Sequence, residues 1–267
     1  VVKESITPKN QKDKYDRSDT VDQYLLLHYG SEDEQRDSEI DTSITFPSTS
    51  NLVNRTVELV KKFSNGQDRA LDLGCAVGGA SFSLASTFKS VTAIDFSDLF
   101  IEAASDLKRH GEIGYRRKET GRISTELTAS IDKTIDRDRV QFYQGDASSL
   151  NGITAMTKDD PFDAILLSNL LCRLSAPRTC LQQFSETDGY LKSGGILVIA
   201  SPNTWLEQYT PESDFLDGRS NSETLSSLAK LLPNFKLTFY EDLPFTIREH
   251  RRKYEFIISQ ISVWCKK

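Results

Sequence analysis

The sequence predicts an α/β fold in which a doubly wound, mostly parallel seven-stranded sheet ends in an antiparallel C-terminal hairpin. The first observation is that short apolar runs alternate with helical segments between residues 69 and 200, an order typical of parallel sheets covered by helices on both faces. The second is that two β-rich runs follow without a helix long enough for a parallel crossover, so we expect these runs to pair antiparallel.

The elements before the sheet follow from composition and helical spacing. Residues 1–14 are rich in Lys, Asn, Gln and Ser and predict a disordered leader or linker, so we expect the folded domain to span 15–267. Because the first residue is Val1 rather than Met, we expect a processed chain or a domain cut from a longer polypeptide. Apolar residues at helical spacing predict helices over 18–29 and 51–63.

The alternating region contains five predicted strands and three predicted helices. The strands are predicted over 69–73, 90–95, 140–144, 164–168 and 195–200, and the helices over 79–88, 98–110 and 177–190. The two C-terminal β-rich runs are 236–240 and 253–264, joined by a polar connector. The polar stretch 111–139 precedes the third strand, and we expect it to be a surface insertion with some helix near the mouth of the active site.

Composition narrows the class of protein and of partner. Lys and Arg number 33 against 39 Asp and Glu, so the chain offers no broad basic surface for a nucleic acid, and a small-molecule substrate fits better. The four cysteines include no C-x-x-C pair, which argues against a metal site and a disulfide framework and favours the reducing cytoplasm. No apolar run has the length that a membrane span needs. We therefore expect a cytoplasmic protein that acts on a small molecule without a metal ion.

A glycine-rich turn lies between the first predicted strand and its helix. The glycines of Asp72-Leu73-Gly74-Cys75-Ala76-Val77-Gly78 are spaced G-x-x-x-G rather than G-x-G-x-x-G as in dinucleotide binders, so the turn is not a pyrophosphate site. Asp95 ends the second strand, where a carboxylate can accept hydrogen bonds from both hydroxyls of a ribose. Asp146 follows the third strand, within reach of an adenine edge. In this order, the features resemble those of class I S-adenosylmethionine-dependent methyltransferases, which have a Rossmann-like fold.

Four segments make the resemblance more specific. They cover residues 23–30, 70–78, 201–211 and 242–254, and they begin Gln23-Tyr24-Leu25, Ala70-Leu71-Asp72, Ser201-Pro202-Asn203 and Asp242-Leu243-Pro244. These segments resemble the 5-thiohistidine (4-mercaptohistidine) N-methyltransferases of ovothiol biosynthesis. The resemblance implies methyl transfer from S-adenosylmethionine to the imidazole ring nitrogen of 5-thiohistidine, which gives ovothiol A and S-adenosylhomocysteine. It also implies fusion to, or partnership with, an iron-dependent sulfoxide synthase domain.

The residues that we expect to bind the cofactor lie at or just after the ends of the first four predicted strands. They are Asp72, Gly74, Cys75, Ala76, Gly78, Asp95, Phe96, Asp146, Ala147 and Asn169. In this set, Cys75 is interpreted as a small apolar filler rather than a nucleophile, because the sequence places no cation beside it.

The expected substrate residues lie outside the glycine-rich turn. The candidates for catalysis are Tyr24, Tyr29 and Asn169, and the candidates for substrate binding are His28, Arg173, Trp205, Tyr209, Arg252 and Tyr254. The alternative for the aromatic residues is packing, and the alternative for the arginines is a solvated surface. His28 is more typical of a hydrogen-bonded structural residue than of a base. No general base is predicted, because a thiol-bearing imidazole is readily deprotonated.

Two other functions stay open at this point. The first is methyl transfer to another small thiol or amine. The second is a catalytically silent module that binds S-adenosylmethionine and regulates a partner. Intact candidate residues such as Asp72, Asp95 and Asp146 favour binding in either case, but residues that bind a cofactor do not by themselves establish turnover.

Overall fold

The computed structural model describes residues 17–36, 39–40, 47, 51–186 and 189–267, so the predicted leader over 1–14 lies outside the described residues. The strands are β1 (Arg69–Leu73), β2 (Ser90–Asp95), β3 (Glu112–Thr120), β4 (Ile123–Ser130), β5 (Val140–Gln144), β6 (Phe162–Ser168), β7 (Leu191–Ser201), β8 (Phe235–His250) and β9 (Lys253–Lys266). The helices are α1 (Ser18–Tyr29), α2 (Glu32–Gln35), α3 (Asn51–Phe63), α4 (Gly79–Ala85), α5 (Asp98–His110), α6 (Pro177–Ser185) and α7 (Asn221–Leu231).

The central sheet has seven strands in the order β5-β2-β1-β6-β7-β9-β8. β1 pairs parallel with β2 and β6, β2 with β5, and β6 with β7, whereas β9 pairs antiparallel with β7 and β8. The predicted fold class is therefore confirmed. From β1 the chain builds outward through β2 to β5 and then returns to the other side of β1 as β6. This reversal places a crevice at the carboxyl ends of β1 and β6, where ligands bind in open α/β sheets.

The C-terminal hairpin is longer than predicted. Residues 242–250, expected to form a polar connector, continue strand β8, and the turn lies only at 251–252. The reason is a period-two pattern in which Leu243 and Phe245 are buried and alternate with polar or less buried neighbours. Charged residues within this stretch obscure the pattern in the sequence.

The insertion over 111–139 is mainly a β-hairpin, and the prediction of helix there was wrong apart from one short 3₁₀ turn at Arg137–Arg139. Strands β3 and β4 form a separate two-stranded sheet. On β3, Tyr115 is buried between exposed Gly114 and Arg116, the alternation of a strand with one covered face. Gly121, with φ of 56°, occupies the tight turn.

Helix boundaries depart from prediction at two places. α4 ends at Ala85 and α6 at Ser185, earlier than predicted. At the end of α4 the Ser86 hydroxyl bonds the Ser83 carbonyl, a local bond that competes with helix continuation.

α7 was not predicted at all, although Ser220 caps it by accepting a hydrogen bond from the Glu223 amide. A serine three residues before a glutamate is a helix-start signal that the sequence offered.

Apolar side chains cover both faces of the sheet. One cluster joins the sheet to α1, α3, α4, α5 and the β3–β4 hairpin, and a second joins it to α6 and α7. The strands whose ends form the crevice are therefore packed on both faces. Among the described residues, no helix is both long and apolar enough to cross a membrane.

Candidate active site

The crevice at the carboxyl ends of the parallel strands contains a pocket built in two halves. Loops after β1, β2 and β5 line one half, which we call the cofactor half. α1, α3, the segment after β6, and β8 line the other half, which we call the acceptor half. The two halves meet at the switch point of the sheet, between β1 and β6.

The glycine-rich loop of the cofactor half is held against the neighbouring strand. The amides of Gly74 and Cys75 both donate to the Ile94 carbonyl, at 2.8 and 3.0 Å. Gly74 has φ of 78°, and a Cβ atom there would lie 2.9 Å from the side chain of Leu170. Ala76 also has a positive φ, of 46°. The loop therefore needs glycine at position 74 both for its backbone conformation and for the close approach of the segment after β6.

Asp72 is a buried carboxyl at the end of β1. Its Oδ2 atom accepts a hydrogen bond of 2.6 Å from the Ser81 hydroxyl on α4. The pKa of Asp72 is raised to about 7, chiefly by burial and also by the nearby charge of Asp95, against the opposing hydrogen bond from Ser81. A cation bound in the pocket would stabilise the ionised form.

Asp95 is fixed by two backbone amides. Oδ2 accepts from the Ala76 amide at 2.8 Å, and Oδ1 accepts from the Ser97 amide at 2.9 Å. The carboxylate therefore ties the glycine-rich loop to the loop after β2. Each carboxylate oxygen has a further lone pair, so Asp95 can also accept hydrogen bonds from the hydroxyls of a ligand. Phe96 follows it in the pocket wall.

Asp146 and Ala147 line the end of the cofactor half after β5. Asp146 Oδ1 accepts a hydrogen bond of 2.8 Å from the Ser148 amide, which fixes the side chain at the loop. Ala147 is buried, and its carbonyl accepts from Gln183 on α6. Cys75 is also buried, and burial raises the pKa of its thiol well above the ordinary value, so the thiol stays protonated and unreactive.

Helix α1 covers the glycine-rich loop through two hydrogen bonds. The Gly79 amide donates to His28 Nδ1 at 3.2 Å, and the Tyr29 hydroxyl donates to the Val77 carbonyl at 2.8 Å. Burial lowers the pKa of His28 to about 4, so its imidazole is neutral at physiological pH. Because Nδ1 accepts, the proton of the ring is on Nε2, and His28 lines the pocket as a hydrogen-bond donor.

Asn169 and Arg173 line the acceptor half from the segment after β6. Asn169 has φ of 53°, and its Oδ1 atom accepts a hydrogen bond of 2.7 Å from the buried Ser259 hydroxyl on β9. This bond leaves the two N–H groups of the Asn169 amide to donate. Arg173 lies over the Tyr209 ring at 5.1 Å and donates to the Thr204 carbonyl at 2.9 Å. Its position is therefore fixed by the loop after β7.

The structure brings most of the predicted site residues to one pocket. Those that line it are Tyr24, His28, Asp72, Gly74, Cys75, Ala76, Asp95, Phe96, Asp146, Ala147, Asn169 and Arg173. The pocket lining does not include Tyr29, Gly78, Trp205, Tyr209, Arg252 or Tyr254. Tyr29 bonds the glycine-rich loop at Val77, and Gly78 ends that loop as the N-cap of α4. Buried Tyr209 supports Arg173.

Three predicted substrate residues lie elsewhere. Trp205 stacks on Phe215 at 5.7 Å and packs against the apolar cluster of α6 and α7. Arg252 is exposed at the turn of the β8–β9 hairpin. Tyr254 lies 6.0 Å below the guanidinium of Arg248. In this conformation these residues do not contact the pocket.

Sequence reasoning missed the apolar wall of the acceptor half. Leu52 and Val53 of α3 and Phe245 and Ile247 of β8 line the pocket beside Tyr24. No local signal distinguishes these residues from ordinary core residues, because they come from segments nearly 200 residues apart. Their role depends only on the packing of β8 beside α1 and α3.

Charge is divided unevenly between the two halves. The three carboxylates Asp72, Asp95 and Asp146 all belong to the cofactor half. Among the described residues that line the acceptor half there is no carboxylate, and its polar side chains include His28, Asn169 and Arg173. The cofactor half is therefore suited to a cationic ligand with hydroxyl groups, and the acceptor half to a ligand that accepts hydrogen bonds or carries negative charge.

Solved structures show the same fold. A protein described for the conversion of a disulfide bond into a thioacetal group during echinomycin biosynthesis is 16% identical over 94% of this chain and 92% of that one, with a TM-score of 0.53. The 4+2 cyclase SpnF is 17% identical over 93% and 96%, with a TM-score of 0.53. The N-methyltransferase NodS from Bradyrhizobium japonicum WM9, solved with S-adenosyl-L-homocysteine, is 15% identical over 92% and 98%, with a TM-score of 0.51.

At these identities the likeness concerns the fold, and the three proteins are named for different reactions, so the fold alone does not define the reaction. No curated protein matches the sequence closely enough to be called a relative. A family model described as a methyltransferase domain matches residues 64–236, which is well over half of the chain and includes the cofactor half of the pocket. The chain therefore belongs to this methyltransferase domain family.

Proposed function

We propose that the chain transfers a methyl group from S-adenosylmethionine to the imidazole ring nitrogen of 5-thiohistidine, giving ovothiol A. The observation that carries the proposal is the division of charge in the pocket. Among the described residues of the pocket, carboxylates line only the cofactor half, and side-chain donors line the acceptor half. S-adenosylmethionine carries a sulfonium, an ammonium and a carboxylate, and its net charge is positive. 5-Thiohistidine carries an ammonium, a carboxylate and a readily ionised thiol, and its net charge is negative once the thiol is ionised. Each half thus matches one of the two molecules.

The residues of the cofactor half fit S-adenosylmethionine. Gly74 lets the glycine-rich loop lie close to Leu170, because a Cβ atom at this position would collide with that side chain. The Asp95 carboxylate would accept hydrogen bonds from the two ribose hydroxyls. Asp146 would hold the adenine edge, and Asp72 the charged methionine part. When bound, the cofactor supplies an electrophilic methyl group. The complex of NodS with S-adenosyl-L-homocysteine supports this choice of cofactor.

The acceptor half orients a nucleophile rather than deprotonating it. His28 cannot take a proton at Nδ1, because that atom already accepts from the Gly79 amide, and its pKa is lowered to about 4. Asn169 and Arg173 offer further donors to a thiolate or carboxylate. A deprotonated thioimidazole has a lone pair on its ring nitrogen without help from a base. The main contributions of the chain are therefore alignment of the reactants and exclusion of water.

The proposal is tested by mixing the purified chain with S-adenosylmethionine and 5-thiohistidine. We expect a product that has gained one methyl group on a ring nitrogen, identified by mass spectrometry and by the NMR shifts of the ring. Histidine and a simple alkyl thiol are the matched control acceptors, since they lack the thiol and the ring respectively. Faster methylation of either control than of 5-thiohistidine would contradict the proposed acceptor. Binding of S-adenosylmethionine without turnover of any of the three would instead favour the regulatory module.

A further inference from the structure

The β3–β4 hairpin does not line the pocket, yet it contacts two elements that do, α1 and β8. α1 packs against β3 and β4, and β8 packs against β3. The Arg251 amide, at the turn of the β8–β9 hairpin, donates to the Glu119 carbonyl at 3.1 Å. The Arg116 amide donates to the Asp22 side chain on α1 at 3.2 Å. The hairpin therefore connects the N-terminal and C-terminal parts of the chain.

A nearly buried ion cluster lies at this junction. Glu119 Oε2 accepts a hydrogen bond of 2.6 Å from Arg248 Nη2, and Glu119 Oε1 accepts from Arg117 Nε at 2.7 Å. The side chain of Arg248 is only 1% exposed, and that of Glu119 is 14% exposed. Thr125 on β4 completes the site with a bond of 2.8 Å to Oε1. At this degree of burial, removing one charge leaves its partner without compensation.

The same cluster holds the N-terminal helices. Gln23 Nε2 on α1 donates to the Arg248 carbonyl at 3.2 Å. The Glu34 carbonyl of α2 accepts from Arg117 Nη1 at 2.7 Å and from Arg248 Nη1 at 3.4 Å. Hydrogen bonds thus run from Glu119 through Arg248 to α1, and from Glu119 through Arg117 to α2. The first path ends at Gln23, next to the pocket residue Tyr24.

We propose that Glu119 is a positioning residue for the acceptor half of the pocket. Arg248 follows Ile247, and Gln23 precedes Tyr24, so the cluster fixes the relative positions of two residues that both line the acceptor half. The cluster bonds α1 at Gln23, in the first half of the helix, whereas α1 bonds the glycine-rich loop of the cofactor half from its last two residues, His28 and Tyr29. Loss of the Glu119 charge therefore weakens acceptor binding more than cofactor binding. The kinetic part of this inference rests on the proposed function.

The test compares Glu119→Gln with Glu112→Gln, an exposed glutamate of the same strand. We expect Glu119→Gln to raise KM for 5-thiohistidine about tenfold, the consequence of an uncompensated charge at Arg248, with kcat and the Kd for S-adenosylmethionine changed less than about twofold. Glu119→Asp, which keeps the charge, should recover part of the loss. The Glu112→Gln control should match the wild type. A merely structural role would lower stability without separating the two affinities.

A second measurement does not depend on turnover. Hydrogen exchange followed by mass spectrometry should show faster exchange of the α1 amides in Glu119→Gln, by about tenfold, with β1 and β2 unchanged. If the wild type fails to methylate 5-thiohistidine, the proposed function fails, and the exchange result still decides the role of Glu119.

Gln23→Ala covers the case in which Glu119→Gln does not fold. It removes only the bond from α1 to the Arg248 carbonyl, and we expect the same increase in KM and in α1 exchange. Unchanged KM and exchange in the folded variants would overturn the proposal. Equal weakening of acceptor and cofactor binding would overturn it as well, because that result indicates general loosening of the fold.

Discussion

At the scale of single residues, the environment of Asp72 decides its protonation. The carboxyl is almost fully buried at the end of β1, with the Ser81 hydroxyl as its hydrogen-bond donor and the charge of Asp95 nearby. In this environment the neutral form is favoured at mildly acidic pH, although an aspartate in water would be ionised. Ionisation of Asp72 is therefore linked to folding of the free protein.

The pH dependence of stability tests the protonation of Asp72. The pKa of Asp72 is about 7 in the folded chain, whereas the ordinary value for an aspartate is 3.8. The burial of a protonated Asp72 therefore contributes its full stabilisation of the fold below the ordinary pKa, and this contribution is lost as the pH rises through about 7. Relative to Asp72→Asn, which cannot ionise, the wild type should lose about 2 kcal/mol of unfolding free energy between about pH 5 and pH 8. Urea unfolding of both chains at the two pH values measures this difference.

The control for this experiment is Asp106→Asn, in which the aspartate is 49% exposed on α5. Its stability relative to the wild type should hardly change with pH. If the difference in unfolding free energy between Asp72→Asn and the wild type is also the same at the two pH values, the raised pKa of Asp72 is wrong.

Asp95 joins two loops of the cofactor half and is expected to hold the ribose. Asp95→Ala removes the acceptor of the Ala76 and Ser97 amides as well as that of the ligand hydroxyls. Affinity for S-adenosylmethionine, measured by calorimetry, should fall by about 1–3 kcal/mol. Asp95→Asn, which keeps one carbonyl oxygen, should lose less.

The matched control for Asp95 is Glu102→Ala, at an exposed position on the following helix. Its affinity for S-adenosylmethionine should equal that of the wild type. Wild-type affinity in Asp95→Ala would remove Asp95 from the ribose site.

At the scale of elements, α1 and α4 meet at a contact that leaves no room for a side chain. Gly79 is the first residue of α4, and a Cβ atom at this position would lie 2.7 Å from His28 Nδ1. The same glycine donates its amide to that nitrogen. The seating of α1 on the glycine-rich loop therefore depends on the absence of a side chain at Gly79.

Gly79→Ala should displace α1 from the loop. We expect a loss of about 1–3 kcal/mol in unfolding free energy, the usual cost of an overpacked contact, even though alanine favours helix. Thermal or urea unfolding measures the loss. Gly152→Ala is the control, because a Cβ atom there meets nothing within 4 Å. Equal stability of the two variants would contradict the contact between α1 and α4.

The insertion hairpin is the other element whose role depends on its contacts. Residues 111–139 read as a polar stretch in the sequence, and the exposed faces of β3 and β4 explain why. Buried Tyr115 and Ala129 pack into the apolar core, and the partly buried Arg117 and Glu119 bond to α2 and β8. A two-stranded hairpin is marginal by itself, so packing against α1, α5 and β8 stabilises it.

At the scale of the whole molecule, two apolar clusters lie on opposite faces of one sheet. Ile94 of β2 belongs to the cluster with α6 and α7, and Ile261 of β9 belongs to the cluster with α1, α3, α4 and α5. β2 and β9 are separated by β1, β6 and β7, which corresponds to about 19 Å at the usual strand spacing. The two side chains therefore share no contacts.

Removing one methyl group at each site tests this independence. Ile94→Val and Ile261→Val should each cost about 0.5–1.5 kcal/mol of unfolding free energy, since both side chains are fully buried. The double variant should lose the sum within about 0.5 kcal/mol. Urea unfolding of the four chains measures the coupling, and a coupling well above that limit would show that the faces are not independent.

Much of the cofactor half could be predicted because each of its parts is local in the sequence. A loop between a strand and a helix carries its own glycines, and Asp95 and Asp146 follow strands whose apolar runs are recognisable. The acceptor half could be predicted only in part. Trp205 and Arg252 were predicted to bind the substrate, as Arg173 was. In the structure, Trp205 instead stacks on Phe215, and Arg252 lies at an exposed turn.

The sequence by itself determined the α/β alternation, the switch point after β1 and the glycine-rich loop, because periodicity and turn residues act over a few neighbouring positions. Only the tertiary structure decided which elements come together to line the acceptor half. Phe245, Ile247, Leu52 and Tyr24 meet there because β8 continues past its predicted end and packs beside α1 and α3. Such contacts join residues about 200 positions apart, and their geometry depends on the packing of the complete sheet.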